Sequence, residues 1–227
     1  MWNTILYAVI PYLSVGIAVV GGIWSYRTDR FSYTSQSSQF LESRALFWGS
    51  NAWHYGILFV LGAHVVALVI WDPWASLVSN PTRLYTLEVI GLGLSFLAIA
   101  GMSILVVRRL VVRRITSVTS HADWLLAAVL VAQVVLGIWV ALGYRWGSEW
   151  YVYTAVPWLH SLFKLNPKVE YMVALPAVVK IHSVLGFALV ALFPFTRLVH
   201  IVTFPVAYLW RSYQVVIWNR RPGHARR

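Results

Sequence analysis

Residues 50–64 read SNAWHYGILFVLGAH, an apolar run that contains two histidines, His54 and His64. The run lies within a longer apolar stretch, and about 20 apolar residues are enough to cross a bilayer as a helix. Ionisable side chains inside such helices are costly and therefore indicate function. This stretch predicts a membrane-spanning helix that carries part of a functional site.

The whole chain has the composition of an integral membrane protein. Hydrophobic residues make up 59% of the 227 residues and charged residues only 11%, whereas a soluble domain has about 25% charged residues. The pattern predicts an all-α integral membrane protein, a five-transmembrane-helix bundle formed by a single domain over residues 1–227. The predicted spans are residues 3–26, 46–71, 84–107, 122–144 and 173–204.

The basic residues predict the orientation of the bundle. Twelve Lys and Arg residues flank the spans on the side that holds the C-terminus, and four flank them on the other side. Since cytoplasmic loops carry the excess of basic residues, we expect the N-terminus outside and the C-terminus in the cytoplasm, with the protein in the cell membrane. The first basic residue is Arg27, so the N-terminal stretch is interpreted as a retained helix rather than a signal peptide.

Charge and cysteine content exclude several functions. The net charge of +11 is explained by membrane topology rather than by nucleic-acid binding, because most basic residues lie between apolar stretches. The chain has no cysteine, which excludes disulfides, iron–sulfur clusters ligated by this chain and covalent c-type haem. A redox centre held by this chain must therefore use His or Met.

Four histidines fall on two predicted helices: His54 and His64 on the second span, His182 and His200 on the fifth. An 18-residue step is five helical turns, so His182 and His200 are expected on one face about 27 Å apart. The step from His54 to His64 gives about 15 Å. Because the helices are antiparallel, His54 is expected to pair with His200 near the cytoplasm and His64 with His182 near the outside. A bend at Pro194 is expected to absorb part of the difference in length.

Two histidine pairs at two depths favour two b-type haems, each with two axial imidazoles. A di-iron site needs several inward carboxylates, and a structural zinc site gathers four ligands at one point. The alternative is a haem-free membrane anchor or transporter, in which the histidines serve packing or proton relay. The other histidines, His121, His160 and His224, are interpreted as ordinary surface residues.

Basic residues near the histidines are candidate partners for haem propionates. Arg197 is one turn from His200 in an apolar run, and Lys180 is two residues from His182. Arg108 and Arg109 end the third span at the cytoplasmic level. For these last two residues, the alternative is a role in membrane orientation alone.

The segment from residue 145 to residue 172 connects the fourth and fifth spans and is rich in Trp and Tyr. Such side chains favour the headgroup level of a bilayer over open water. We therefore expect this connection to lie along the outer membrane interface.

Four stretches resemble the gamma subunit of respiratory nitrate reductase, the membrane cytochrome b of that three-subunit enzyme. They are PY at 11–12, SSQFLESR at 37–44, SNAWHYGILFVLGAH at 50–64 and LFPFTRLVHIVTFPVAYL at 192–209. The last two are specific, because they carry the histidines at the family's spacings. The resemblance implies that His64 and His182 bind an outer, distal haem, and that His54 and His200 bind an inner, proximal haem.

The resemblance also implies an activity. Members of the family oxidise a membrane quinol near the outer haem and pass electrons inward to an iron–sulfur (beta) subunit. A molybdenum-cofactor (alpha) subunit then reduces nitrate to nitrite in the cytoplasm. The quinol site is expected near His64, with Arg83 as the nearest match to a basic residue of the family, while a family Gly is Ala63 here. An alternative is a di-haem cytochrome b of another quinone-linked oxidoreductase, of the heterodisulfide- or sulfite-reductase type.

Overall fold

A computed structural model of the protein describes residues 1–28, 38 and 41–202. This part of the chain is helical and contains no β-strand. Two 3-10 segments, Phe193–Phe195 and Arg197–Ile201, follow the last α-helix. In chain order the helices are α1 (Trp2–Thr28, with a π-helical turn at Ile5–Val9), α2 (Arg44–Val69), α3 (Trp71–Val78), α4 (Pro81–Val111), α5 (Arg113–Thr116), α6 (His121–Gly143), α7 (Gly147–Tyr153), α8 (Ala155–Phe163), α9 (Glu170–Val173) and α10 (Ala177–Leu192).

Five segments are long and apolar enough to cross a membrane, namely α1, α2, α4, α6 and α10 with the turn that follows it. The predicted number of spans is thus confirmed, and the bounds of the first four agree within about one helical turn. The prediction of a continuous span over residues 173–204 is wrong. Helix α10 begins only at Ala177 and ends at Leu192, while residues 203–204 lie outside the described residues.

Local sequence sets where the spanning helices begin. Asn80 caps α4, since its Oδ1 accepts the amide of Thr82 at 3.0 Å, and Pro81 takes the first helical position, where no amide is needed. Ser120 and Asp123 form a reciprocal capping box at the start of α6. These caps supply partners to amides that a helix start otherwise leaves unsatisfied.

Helix α10 ends early because Pro194 has no amide to continue it. The amide of Phe193 bonds to the carbonyl of Val190 in a 3-10 pattern, and Thr196 is extended (φ −132°, ψ 175°). The bend expected at Pro194 is therefore a break in the helix. No continuous helix of five turns connects His182 with His200. The separation of about 27 Å that was predicted for these two residues therefore does not apply.

The spanning helices pack in the order α2, α4, α6, α10 and α1. We call the end of the bundle with residues 144–176 the upper end, and the end with residues 112–120 and 193–202 the lower end. Glycine allows the close contact of α2 with α4, because a Cβ added to Gly56 would lie 2.5 Å from the carbonyl oxygen of Leu94. The backbones of α2 and α10 share no extensive contact, so the two helices with the predicted ligands stand apart.

Helices α3, α7, α8 and α9 cover the upper end of the bundle. Trp158 of α8 is only 2% exposed, stacks edge-on against Tyr7 and donates from Nε1 to the Tyr7 carbonyl at 2.8 Å. Met172, which is fully buried, belongs to the same cluster. Trp158 is thus part of the protein interior. The sequence had predicted only that this connection lies along the outer membrane interface.

Candidate cofactor site

The structure brings His54 and His200 together toward the lower end. The centroids of their rings lie 6.1 Å apart, and the ring planes are inclined by 76°. His54 belongs to α2, while His200 belongs to the 3-10 segment Arg197–Ile201. The pair therefore spans the gap between two elements whose backbones stand apart.

His64 and His182 are neighbours nearer the upper end, on α2 and α10. His64 lies ten residues beyond His54 on α2, which places it about 15 Å further along the axis. The rings of His64 and His182 are close enough for their charges to interact. Gly137 of α6 makes room for the second ring, because a Cβ at this position would lie 3.2 Å from His182 Cε1.

Three of the four rings have the same hydrogen bond at Nδ1. His54 bonds to the Ser50 carbonyl at 2.7 Å, and His64 bonds to the Val60 carbonyl at 2.8 Å. In His200, Nδ1 bonds to the Arg197 carbonyl at 2.6 Å. A carbonyl can only accept, so Nδ1 carries the hydrogen and Nε2 has the lone pair that a metal needs.

His182 differs from the other three. Its Nδ1 is buried and has no hydrogen-bond partner among the described residues, although the main chain of Gln133 lies beside the ring. The side-chain oxygen of Gln133 is buried and unpartnered as well. Unsatisfied buried polar atoms are uncommon in proteins, so these two atoms distinguish the surroundings of His182 from those of the other three histidines.

The separation of the lower pair would suit two imidazoles that hold one haem iron. Two imidazoles bound to one iron through nitrogen, at about 2 Å each, have ring centroids about 6 Å apart. The His54 and His200 rings have this separation. Among the described residues no three His, Cys, Asp or Glu side chains gather around one point.

Three of the candidate propionate partners bind other protein groups. Arg197 forms a two-point salt bridge with Asp123, with Nε to Oδ1 at 2.7 Å and Nη2 to Oδ2 at 3.3 Å. Arg109 donates to the main-chain oxygen of Asp123 at 3.3 Å. Lys180 donates from Nζ to the Val173 carbonyl at 2.6 Å. Their predicted role toward haem propionates stays a prediction.

The fourth candidate, Arg108, is 6% exposed and joins the end of α4 to the segment before α2. Its Nε donates to Glu42 Oε2 at 2.5 Å, and its Nη2 donates to the carbonyls of Glu42 at 2.7 Å and Ser38 at 3.2 Å. The amide of Ala45 and then Arg108 hold the pKa of the Glu42 carboxyl below its usual value. In this structure Arg108 fastens a connection at the lower end.

Tyr151 of α7 is a neighbour of His64 that the sequence did not reveal. The two ring centroids lie 5.4 Å apart, and the Tyr151 hydroxyl donates to the His64 carbonyl oxygen at 3.5 Å. Burial raises the pKa of Tyr151 to about 12, so its hydroxyl stays protonated and can donate. The predicted quinol position near His64 thus has a donor from α7 beside it.

Glu88 of α4 contacts the first turn of α7. Its Oε1 accepts the amide of Ser148 at 2.7 Å, one turn before Tyr151. The other candidate for this region, Arg83, is exposed on the first turn of α4 at the upper end. The sequence could have pointed to Glu88, because an acidic residue inside a spanning helix needs a partner.

The remaining histidines have different surroundings. His160 of α8 is partly buried and bonds from Nε2 to the Leu68 carbonyl at 2.8 Å, so the interpretation of this residue as ordinary surface is wrong. The bond satisfies one of the free carbonyls in the last turn of α2. His121 is exposed at the start of α6, as expected, and His224 lies outside the described residues.

The fold defines the chain as a multi-span helical membrane protein, in which the rings of His54 and His200 meet across two elements toward the lower end. The sequence model of the nitrate reductase gamma subunit matches residues 3–219, and the chain belongs to this family. The resemblance inferred from the histidine-bearing stretches is thereby confirmed.

Individual relatives agree with this assignment. The chain is 33% identical over 225 residues to the nitrate reductase gamma chain of Bacillus subtilis, covering 97% of this chain and 100% of that relative. It is 28% identical over 223 residues to the respiratory nitrate reductase 1 gamma chain of Escherichia coli, with 94% and 96% of the two chains covered. It is 36% identical over 226 residues to the nitrate reductase-like protein NarX of Mycobacterium tuberculosis, covering 97% of this chain but only 34% of that longer relative.

Proposed function

We propose that this protein is the quinol-oxidising cytochrome b subunit of a nitrate reductase complex in the cell membrane. It oxidises quinol near the upper end, which faces outward, and delivers electrons at the lower end. There an iron–sulfur (beta) subunit and a molybdenum-cofactor (alpha) subunit receive them and reduce nitrate to nitrite. Family membership supports the nitrate reductase assignment, and the two histidine pairs support the electron route.

The single observation that carries the proposal is the pairing of histidines across α2 and the α10 region at two depths. His64 and His182 would hold a distal haem, and His54 and His200 a proximal one. A b-type haem supplies a one-electron iron couple when it is bound. Hydrogen bonds at Nδ1 fix the tautomers of His54, His64 and His200, which leaves each Nε2 directed away from its own helix.

Residues at the upper end support quinol binding near His64. Oxidation of a quinol to a quinone gives up two electrons and two protons, so the site needs groups that hold hydroxyl oxygens. Tyr151 offers a protonated hydroxyl beside His64, and α7, which carries it, is anchored to Glu88. Protons released here would leave at the outer face, in agreement with the predicted orientation.

The test uses the complex purified in detergent with its co-purifying subunits. We expect a reducible b-type absorption spectrum, reduction of this signal by menadiol, and its reoxidation on addition of nitrate. In a His64→Ala variant, menadiol should no longer reduce the signal at a comparable rate. A His121→Ala variant is the matched control, since His121 is exposed at a helix start, and should behave as wild type.

Two results would contradict the proposal. A purified complex without a b-type spectrum would favour the haem-free anchor or transporter. A b-type signal that menadiol reduces but nitrate does not reoxidise would assign the chain to another quinone-linked oxidoreductase.

A further inference from the structure

The break after α10 leaves His200 without the support of a long helix. Residues Arg197–Ile201 form a short 3-10 segment, separated from α10 by the extended residue Thr196. Thr196 Oγ1 donates to the Leu192 carbonyl at 2.9 Å, but the internal bond from the Val199 amide to the Thr196 carbonyl is long, at 3.4 Å. Short 3-10 segments have poorer hydrogen-bond geometry than α-helices, so this one needs an external anchor.

Asp123 of α6 supplies that anchor. Its two carboxylate oxygens receive Nε and Nη2 of Arg197, the fork geometry that fixes a guanidinium in direction as well as position. Asp123 itself is 5% exposed and is held by Ser120, whose amide it accepts at 3.0 Å. A carboxylate fixed to the first turn of a spanning helix thus holds the 3-10 segment against α6.

The same arginine reaches His200 through its main chain. The Arg197 carbonyl accepts the His200 Nδ1 hydrogen at 2.6 Å, which fixes the ring, and the ring centroid lies 6.1 Å from that of His54. Arg197 therefore bonds to Asp123 with its side chain and to His200 with its backbone. A rotation of the 3-10 segment that weakens the bond of Arg197 to Asp123 therefore also moves the His200 ring.

We propose that Asp123 and Arg197 are a positioning pair that holds His200 in register with His54. The proposal rests on the proposed function only in taking His200 as a haem ligand. In this proposal Arg197 positions His200 instead of binding a haem propionate. The proposal also gives Asp123 a role, which propionate binding by Arg197 would not do.

The experiment compares Asp123→Asn and Arg197→Lys in the purified complex. We expect Asp123→Asn to shift or broaden the low-spin electron paramagnetic resonance signal of the proximal haem while the distal signal is unchanged. Arg197→Lys, which keeps the charge but loses the fork, should give a smaller shift. The matched control is Glu42→Gln, which weakens the ion pair with Arg108 at the lower end without touching a histidine, and both signals should remain as in wild type.

Hydrogen exchange gives a second readout that does not require haem. Exchange in residues 197–201 should become faster by on the order of tenfold in Asp123→Asn, with α6 and α10 little changed. An unchanged proximal signal together with unchanged exchange in residues 197–201 would overturn the positioning role. If wild type showed no haem, the proposed function would fail, and the exchange measurement would still decide whether Asp123 holds the segment.

Discussion

The carboxylate of Glu88 accepts the backbone amide of Ser148 at 2.7 Å, although the two residues are 60 positions apart in the chain. Glu88 lies in a spanning helix and forms no ion pair with a cation of the described residues. The start of α7 is a favourable position for the negative charge of the Glu88 carboxylate, because the first amides of a helix are free to donate. This bond joins α7, and with it Tyr151, to the membrane bundle.

Loss of the Glu88 bond should therefore weaken the quinol site without removing a cofactor ligand. In Glu88→Ala we expect the KM for menadiol to rise about tenfold, the equivalent of about 1.4 kcal/mol, with haem content unchanged. Glu88→Gln keeps an acceptor oxygen and should stay near wild type. Steady-state kinetics with menadiol and nitrate measure the difference.

The control for this comparison is Glu149→Ala, because Glu149 is an exposed acidic residue in the first turn of the same helix. A rise in KM of equal size in Glu149→Ala would show that loss of negative charge, rather than the bond to Ser148, is responsible.

Removal of the Tyr151 hydroxyl tests its proposed contact with quinol. Tyr151→Phe keeps the ring beside His64 and should lower kcat/KM for menadiol about tenfold, as expected for one lost hydrogen bond. Tyr151→Leu removes the ring contact as well and should cost more. An unaltered rate in Tyr151→Phe would exclude the hydroxyl from the quinol site.

The pH dependence of stability follows from the same residue. The folded protein holds the Tyr151 proton more tightly than the unfolded chain, since burial raises its pKa to about 12 from the usual value of about 10. The stabilising contribution is complete below the unfolded pKa and declines as pH rises from about 10 to about 12. Tyr151→Phe should flatten this alkaline loss in thermal unfolding curves, and an identical loss in wild type and variant would contradict the assignment.

Single substitutions at the histidines should remove the haems one at a time. His182→Ala is expected to abolish the distal haem and menadiol oxidation, whereas His54→Ala should abolish the proximal haem and transfer to the partner subunits. Haem content, measured by the pyridine haemochrome method, should fall from two to about one per protein in either variant. Loss of the proximal signal alone in His182→Ala would show that the pairing is wrong.

The contact of α2 with α4 should tolerate no side chain at Gly56. An added Cβ would lie 2.5 Å from the Leu94 carbonyl, so Gly56→Ala should destabilise the fold by about 1–3 kcal/mol. Nothing lies within 4 Å of a Cβ added at Gly62 on the same helix, which makes Gly62→Ala the matched control. Circular dichroism during heating in detergent compares the two, and equal unfolding temperatures would contradict the packing argument.

The sequence was sufficient for the five spans, because length and apolar character decide whether a helix can cross a bilayer. It was insufficient for the end of α10. Residues 193–202 remain mostly apolar after the helix stops, and hydropathy does not distinguish an α-helix from a 3-10 turn. Pro194 was recognised as a bend, but the extended Thr196 makes it a break.

In the candidate site, too, features that depend on the sequence pattern were predicted, and contacts between distant elements were not. The proximity of His54 and His200 agrees with the antiparallel direction predicted for their spans, whereas the contacts of Tyr151 and His160 depend on how α7 and α8 fold over the upper end. The partner of Arg197 was predictable in principle. An arginine in an apolar run requires an acidic residue at its own depth, and Asp123 begins a spanning helix at that level with a recognisable capping box.

The break in the helix between Leu192 and Arg197 also means that His182 and His200 do not belong to one rigid helix. His182 belongs to α10, a helix that tilts when bilayer thickness changes. His200 lies in the segment that the Arg197–Asp123 salt bridge joins to the first turn of α6. Tilting of α10 therefore moves the upper pair without pulling the lower pair by the same amount. Under the proposed function, such a break would allow the surroundings of the upper pair to change while the positions of His54 and His200 are preserved.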